Sequence, residues 1–411
     1  MLDDTLGRLE IRIGRDVATR FRTDNGNESS ELLIPTYGLA EWIASNWWPL
    51  LFEPRKREDF EEDFEYRSRH WLGAARQGFA LPDLWFCPAG GKLEIVGSAA
   101  QLRFARLSFL VEIAGTVVET PVIREALAKF VDGVTARLEA RGQLATPLHE
   151  LWRAIRETAP AAEEYCRLIG ALGLSPYDDH PNIDSVLDRL CDRLSAALVK
   201  DLCEAADGTT FSALAELTLG LAEQLGATPQ TGLGELLDIE LPSDHEPFAY
   251  QWGLAGARQV RQKFHISNAD PQGGQQFLAT LGLDRVQSLS RHAERISGGL
   301  RRADDRLQLL VFDDLPPQQR FTTARAAFLA WAGSSGEHLV TSAITRDQQA
   351  SRAFAAELLA PTAFIRTKAA NRVLSDHAIA EIAQSLGAPA GAVRYQARHA
   401  GIHVVGSRGW G

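Results

Sequence analysis

Apolar and polar residues alternate with two different periods along the chain, and the change of period separates its regions. Up to about residue 142 a period of two dominates, which is typical of half-buried strands. The predicted strands are 9–21, 32–34, 84–87, 92–97 and 103–113. Longer stretches with helical spacing cover 38–54 and 120–141. Residues 1–142 are therefore predicted to form an α+β domain with a small antiparallel sheet and two or three helices.

From residue 143 to 241 the apolar residues recur every three or four positions, which is the spacing of amphipathic helices. The predicted helices are 147–158, 162–172, 184–205 and 211–226. A proline-containing stretch at 239–247 then marks the main domain boundary. A helix at 250–264 and a strand at 306–312 are predicted beyond it. The chain is thus predicted to have four parts: an α+β domain at 1–142, a helical middle region at 143–241, a second domain at 248–374 and a tail at 375–411.

The tail at 375–411 has the residue spacing of a helix-turn-helix. Ala383 is small enough for two helices to cross closely, Gly387 permits the turn, and Val393 packs the second helix. Three polar residues are expected to project from that second helix: Arg394, Gln396 and Arg398. Two interpretations follow. The tail is either a DNA-binding module with its second helix in the major groove, or a structural three-helix segment.

The charge of the chain bears on its partners. The 411 residues carry a net charge of −10, with an isoelectric point near 5.6, which argues against wholesale coating of nucleic acid. Residues 362–411 differ, with six Lys and Arg against two Asp and Glu. DNA contact through the tail is therefore one hypothesis. A single module with so few basic residues would bind DNA weakly unless it dimerised.

Cysteine usage and the N-terminal sequence bear on the compartment. The four cysteines are Cys87, Cys166, Cys191 and Cys203, and none of them forms a C-x-x-C motif. We expect buried, reduced thiols of a cytosolic protein. The N-terminus lacks the apolar core of a signal peptide, and no apolar run approaches the ~20 residues that cross a bilayer. A cytoplasmic protein of bacterial style, without membrane contact, is predicted.

Three of the nine tryptophans lie on the predicted helix 38–54. They are Trp42, Trp47 and Trp48. Tryptophan is enriched at the centres of protein interfaces, so one hypothesis is that this helix binds a protein partner. Tryptophans also dominate ordinary cores, and packing in the core of the N-terminal domain is the alternative.

Residues 318–361 contain two motifs that are fairly specific as a pair. The first, R-F-T-T-A, occupies 320–324, directly after the predicted strand 306–312. The second, F-A-A-E-L-L-A-P, occupies 354–361. The pair resembles the core of the ImmA/IrrE family of zinc metallopeptidases, in which R-F-T-L-A-H-E-L-G-H precedes a segment ending in F-A-A-E-L-L-M-P. The resemblance covers about 250–403. It implies a zincin-like domain at 248–374 that ends in the helix-turn-helix-like tail.

The residues that would hold zinc in this family are replaced. The resemblance places Arg325 at the first zinc-binding histidine, Ala326 at the general-base glutamate and Leu329 at the second histidine. The acidic ligand position falls on Gln348 or Gln349. A catalytic zinc takes three protein ligands and leaves one position for water. With neither histidine, no metal is expected on this helix, and with no glutamate nothing removes the proton of a bound water.

An apolar helix is the expected consequence of these replacements. The stretch 326–329 would pack as core where the family holds zinc, and Arg325 would pair with an acid such as Asp347 or Glu357. His338 lies in the same domain but has no second histidine four residues on. No cofactor is therefore expected, and zinc is expected only if ligands outside the motif replace the lost ones.

The resemblance implies a peptidase-like scaffold that has lost its chemistry. The expected function is a catalytically inactive regulatory or protein-interaction module. The settings in which the family occurs suggest stress response, mobile-element control or phage defence. Two alternatives stay open: an active zinc metallopeptidase that cleaves a repressor, and a DNA-binding transcriptional regulator. A protein partner is expected, and the sequence does not identify it.

Overall fold

The computed structural model describes seven stretches of the chain: 3–56, 59–102, 105–244, 248–289, 294–333, 336–370 and 373–405. The protein is of the mixed α+β class, as its sequence predicts. Residue contacts group the chain into two compact units. Unit 1 comprises Met1–Pro181 and Ala206–Thr209, and unit 2 comprises Asn182–Ala205 and Thr210–Gly411. The predicted helical region 143–241 is therefore divided between the two units.

Unit 1 is built on short antiparallel strands. They are β1 (Leu6–Leu9), β2 (Arg12–Ile13), β3 (Asp16–Val17), β4 (Phe21–Thr23), β5 (Glu28–Ser29), β6 (Leu32–Pro35), β7 (Asp83–Pro88), β8 (Lys92–Ser98), β9 (Gln101–Leu102), β10 (Leu107–Phe109) and β11 (Ile113–Glu119). β1 pairs with β6, and β2 pairs with β3. One sheet has the order β5-β4-β10-β9 and another the order β11-β8-β7. The predicted strands at 32–34, 84–87 and 92–97 are confirmed.

Two strand predictions in unit 1 are wrong in extent. The stretch 9–21 is not one strand, because the chain turns back inside it and β2 pairs with β3. Gly14 makes that turn with a φ of +60°, a conformation that glycine adopts without steric cost. The predicted strand 103–113 is also too long. Residues 103–104 lie outside the described residues, and β10 and β11 are separate strands.

The helices of unit 1 cover its strands. They are α1 (Tyr37–Ser45), α2 (Trp47–Phe52), α3 (Phe64–His70), α4 (Thr120–Ala140), α5 (Pro147–Arg156) and α6 (Pro160–Ala171). The predicted helix 120–141 is confirmed as α4. The predicted helix 38–54 is two helices, which meet at Asn46. Leu148 and Trp152 of α5 and Cys166 of α6 belong to the same buried core as α1 and β8, so these helices pack with the N-terminal strands.

Unit 2 contains the remaining elements. Its helices are α7 (Pro181–Arg193), α8 (Ala196–Ala205), α9 (Phe211–Leu225), α10 (Gly234–Leu237), α11 (Ala249–Lys263), α12 (Gly273–Thr280), α13 (Pro316–Ala332), α14 (Arg346–Leu359), α15 (Thr362–Ala369), α16 (Asp376–Leu386) and α17 (Ala390–His399). Its strands are β12 (Thr231–Gly232), β13 (Gln287–Ser288), β14 (Ile296–Ala303), β15 (Arg306–Val311), β16 (Gly336–Thr341), β17 (Leu374–Ser375) and β18 (Val404–Val405). The predicted helix 250–264 and strand 306–312 are confirmed as α11 and β15. The predicted helix 184–205 is split into α7 and α8.

One sheet organises unit 2. Its strand order is β12-β15-β14-β16, and β13 pairs in parallel with β15. β14 and β15 form an antiparallel hairpin, with Ala303 opposite Arg306 next to the turn. β16 pairs with β14 in antiparallel register, with Leu300 opposite His338. β15 leads into α13, and the buried residues of both belong to the core of the unit.

α11 and α14 approach each other closely because glycines line the contact. A Cβ atom at Gly253 of α11 would lie 2.0 Å from the carbonyl oxygen of Ala350 on α14. The same applies to α12, where a Cβ atom at Gly274 would lie 2.3 Å from the carbonyl oxygen of Leu358. Such distances are far inside van der Waals contact. A larger residue at either position would therefore push α14 away.

The tail contains two helices joined by a turn. α16 begins after Ser375, whose hydroxyl accepts a hydrogen bond from the Ala378 amide. α16 ends at Gly387, which adopts a φ of +57° and lets the chain turn into α17. Ala383 and Val393 are buried and belong to the same core as α13 and α14. The tail is thus packed as part of unit 2.

Cysteine burial and membrane-spanning potential were both predicted from the sequence. All four cysteines are free thiols. Cys87, Cys166 and Cys203 are buried as expected, whereas Cys191 on α7 is exposed, which corrects the expectation for that residue. Among the described residues, no helix combines the length and the apolar composition that crossing a bilayer requires.

We expect Gly253→Ala to destabilise the protein by about 1–3 kcal/mol, because the added methyl group collides with the backbone of α14. The control is Gly133→Ala in the exposed part of α4, where a Cβ atom meets nothing within 4 Å. That change should stabilise by about 0.5–1 kcal/mol through helix propensity. Urea unfolding followed by circular dichroism measures both. Equal effects of the two substitutions would contradict the close helix contact.

Candidate functional site

The helix that carries the degenerate motif is buried. From Thr322 to Trp331 every residue of α13 is buried. Ala326 is fully buried, and Leu329 is 6% exposed, so the two positions lie in the core of unit 2. Phe328 packs edge-on against Trp252 of α11 and contacts Phe354 of α14. Apolar side chains therefore occupy the positions at which the resemblance places the general base and the second histidine.

Arg325 is the charged exception on this helix. Its side chain is buried and donates hydrogen bonds to three acceptors. Its Nη2 donates to the Thr341 carbonyl oxygen at 2.6 Å and to Oε1 of Gln348 at 2.7 Å, and its Nε donates to Oγ of Ser351 at 3.2 Å. Arg325 and Gln348, two positions that the resemblance names for zinc ligands, therefore lie in direct contact.

The prediction that Arg325 pairs with an acidic residue is wrong. Neither Asp347 nor Glu357 bonds to it, and its acceptors are a carbonyl, an amide and a hydroxyl. Burial, and after it the nearby charge of Arg352, lowers the pKa of the Arg325 guanidinium well below its usual range. Neutral acceptors offset only part of the free-energy cost of burying this charge. Arg325 is therefore held by hydrogen bonds to neutral groups.

Gln348 links α13 and α14 to the strand β16. Its Oε1 accepts the Thr341 amide at 3.1 Å, and its Nε2 donates to the Leu339 carbonyl at 2.8 Å. The side-chain amide thus bonds β16 as the peptide group of a neighbouring strand would. Gln349, the other residue considered for the acidic position, is half-buried and makes a single long bond to the Ile344 carbonyl at 3.5 Å.

A second polar cluster lies on the same strand and was missed from the sequence. Oδ2 of Asp201, on α8, accepts the Leu339 amide at 2.9 Å and lies 3.3 Å from Nδ1 of His338. Lys200 lies 3.3 Å from Glu204 one turn further on α8. Asp347 is near enough to interact electrostatically with Glu204 and His338. The available signal was three charged residues within five positions of an otherwise apolar helix.

Metal binding can be assessed for both polar clusters. Within the seven described stretches, no group of three or more His, Cys, Asp or Glu side chains is arranged to hold a metal ion. The motif positions carry the guanidinium of Arg325, the methyl group of Ala326, the isobutyl group of Leu329 and the amide of Gln348. A guanidinium has no lone pair to offer and repels a cation. The residues present at the motif therefore do not fit a zinc ion.

The three tail residues have different environments. Gln396 is fully buried, and its Nε2 donates to Oε2 of Glu357 at 2.6 Å, which corrects the expectation that it projects from α17. Arg394 forms an ion pair with Asp376 of α16. Arg398 is exposed. Only one of the three side chains is thus both outward and free of an ion pair with the first helix of the motif.

Glu357 joins the tail to α14. Its Oε2 accepts the amide of Thr362 at 3.2 Å, the hydroxyl of Thr362 at 2.6 Å and the side chain of Gln396. Arg258 of α11 lies 3.7 Å from the other carboxylate oxygen. Glu357 is the glutamate of the second sequence motif, so that motif has a structural role in this chain.

The tryptophans proposed for partner binding are largely internal. Trp47 and Trp48 are 3% and 1% exposed, and Trp47 packs edge-on against Trp152 at a centroid distance of 5.0 Å. Trp42 is half-buried, and its Nε1 donates to the Ser68 carbonyl. The core interpretation of this helix pair therefore describes Trp47 and Trp48, and neither offers a surface to a partner.

We expect Gln348→Ala to lower the free energy of unfolding by about 1–3 kcal/mol for each buried backbone group of β16 that it leaves without a partner. Gln349→Ala is the matched control, because it changes the adjacent glutamine and removes only one long hydrogen bond. Its effect should stay within about 0.5 kcal/mol. Urea unfolding of the two variants and the wild-type chain measures the difference. Similar losses in both variants would show that the Gln348 amide does not hold β16.

Comparison with known proteins yields no family for this chain. A scan against protein-family models finds no match. A search of the curated proteins finds no match either.

Proposed function

We propose that the chain is a catalytically inactive, ImmA/IrrE-like protein that regulates by binding another protein and does not cleave it. The proposal includes a zincin-like fold for the region 248–374 and a bacterial, cytoplasmic setting. Control of stress response, of mobile elements or of phage defence is the context that the resemblance suggests. The identity of the protein partner is outside the proposal.

One contact carries the proposal. Arg325 and Gln348 are 23 residues apart in sequence, and the resemblance assigns them to two ligands of one metal. Ligands of one metal must converge on a point, so the resemblance requires these side chains to meet. Their hydrogen bond of 2.7 Å supports the requirement. The contact also supports loss of chemistry, because a buried guanidinium takes the place that a cation would need.

The surrounding core supports the same interpretation. A glutamate that activates water must reach the substrate. Ala326, at the position that the resemblance gives to this glutamate, is fully buried and cannot contact a substrate. Leu329, at the second ligand position, belongs to the apolar core of the unit. The alternative of an active repressor-cleaving metallopeptidase would need a metal site elsewhere in the chain.

Metal analysis of the purified chain tests the proposal. We expect wild-type protein to hold far less than one equivalent of zinc after dialysis, since the motif offers no suitable ligand set. A variant with Arg325→His, Ala326→Glu, Leu329→His and Gln348→Glu should gain zinc that a chelator removes, if these positions descend from a metal site. Elemental analysis measures both proteins.

Two outcomes would count against the proposal in different ways. Stoichiometric, chelator-sensitive zinc in the wild-type chain, together with peptide cleavage, would refute the loss of catalysis. A restored variant that folds, as judged by circular dichroism, and still binds no zinc would refute the assigned ligand positions. The variant with Gln349→Glu in place of Gln348→Glu is the matched control for the acidic position.

DNA binding is a second candidate, favoured by the helix-turn-helix geometry of α16 and α17. The turn at Gly387 and the buried Ala383 and Val393 have the expected placement. Exposed Arg398 is available for a phosphate contact. The buried position of Gln396 weighs against base recognition by that residue. The geometry therefore favours weak, salt-dependent binding over sequence-specific recognition.

We expect Arg398→Ala to weaken DNA binding and to lower its salt dependence, because one phosphate contact is lost. The double variant with Arg394→Ala should be weaker still. Arg366→Ala, on the neighbouring helix α15, is the control of equal charge. Fluorescence anisotropy with a labelled duplex at several salt concentrations measures the affinities. Equal affinities of wild type and double variant would make the tail structural.

A further inference from the structure

The strand β16 lies at one end of the main sheet of unit 2. Among the described strands it pairs with β14 on one side. The outward side of such a strand presents backbone amides and carbonyls, and unpaired groups of this kind recruit further strands. On the outward side of β16, the backbone groups bonded by side chains belong to Leu339 and Thr341, which are two residues apart. Their occupation decides whether the edge is open or closed.

Side chains from three helices occupy all four of these backbone groups. Gln348 bonds the Leu339 carbonyl and the Thr341 amide. Arg325 and Arg352 donate to the Thr341 carbonyl, at 2.6 and 3.3 Å. Asp201 accepts the Leu339 amide at 2.9 Å. The edge is therefore closed at Leu339 and Thr341, and of these bonds α8 supplies the one that does not come from the motif helices α13 and α14.

The contact of α8 with β16 is rich in charge. Glu204 is 9% exposed and lies in the last turn of α8. The charged groups that act on it are Lys200 and Asp201 from α8 and Asp347 from α14. His338 of β16 faces Asp201, and Arg295 donates to the Ala205 carbonyl at the end of α8. A carboxylate in the last helical turn meets the negative end of the helix dipole. Glu204 is thus placed where a negative charge is unfavourable.

We infer that α8 is a pH-sensitive latch on the β16 edge, closed when Glu204 is protonated and released when it is ionised. The latch is a regulatory device that does not depend on the proposed peptidase lineage, because it rests on the contacts of α8 with β16 alone. When the latch opens, the Leu339 amide loses its acceptor and α8 leaves the side of the strand.

The direction of the pH effect follows from the local charges. Burial, which outweighs the attraction of Lys200, raises the pKa of Glu204 from 4.5 to about 7. A released α8 would have a solvated Glu204 with its ordinary pKa. Docking is therefore strongest below pH 4.5 and weakens about tenfold for each pH unit up to about 7, where Glu204 ionises even in the docked state.

The neighbouring groups act in the same direction. The hydrogen bond to Asp201 raises the pKa of His338. Docking of α8 therefore also weakens as the pH rises through the pKa of the docked His338. Glu204 raises the pKa of Lys200, which keeps its positive charge throughout the neutral range. Glu204 and His338 thus both favour the docked helix under acidic conditions.

Hydrogen–deuterium exchange of the whole chain, read out by mass spectrometry, tests the latch. After correction for the intrinsic effect of pH on exchange, the protection of α8 and β16 should fall by roughly 100-fold between pH 5 and pH 7. Glu204→Gln mimics the protonated group and should keep both segments protected at pH 7. Glu223→Gln on α9 is the control, because that exposed residue pairs with Arg193. The control should behave as wild type.

A second pair of variants tests the hydrogen bond itself. Asp201→Ala removes the acceptor of the Leu339 amide and should raise the exchange of β16 at pH 5. Asp201→Asn retains an acceptor oxygen and should preserve most of that protection. If the Asp201→Ala variant does not fold, the exchange of the Glu204→Gln variant at pH 7 is the measurement that tests the latch. An equal loss of protection in wild type and Glu204→Gln would overturn the latch, and so would a pH-independent wild type.

Discussion

A charge that is taken out of water must be surrounded by acceptors, and this constraint organises the centre of unit 2. Arg325 is buried on α13 and bonds a carbonyl of β16, an amide of α14 and a hydroxyl of α14. Three elements from separate parts of the chain are therefore fixed relative to one side chain. The close contact of α11 with α14 at Gly253 adds the fourth element.

The elements that follow from local periodicity were predictable from the sequence. α4, α11, β15 and the tail helices each repeat one spacing over enough residues to define their type. The stretch 9–21 failed because its alternation continues through a glycine turn. The stretch 184–205 failed because apolar spacing is similar on both sides of the break between α7 and α8. The periodicity of apolar residues indicates which face of a helix or strand is buried, but it does not locate the residues at which the element begins and ends.

The partners of the site residues were not predictable, for a reason that Asp347 and Gln348 illustrate. Neighbouring residues on a helix point about 100° apart. Gln348 therefore reaches Arg325, while Asp347 belongs to the charged cluster around α8. The charge of Asp347 suits a guanidinium, but its position on the helix directs it away from Arg325. The contact of α8 with β16 spans 138 residues, and local sequence carries no signal for it.

The bond between Glu357 and Gln396 has a consequence for how such chains can change over time. It joins the second sequence motif to the helix α17, inside a core that both share. Recombination that exchanged α16 and α17 for another pair of helices would bury a carboxylate without its amide partner. The identity of the residue at 396 is therefore tied to Glu357, whereas the exposed side of the tail carries no such constraint from this bond.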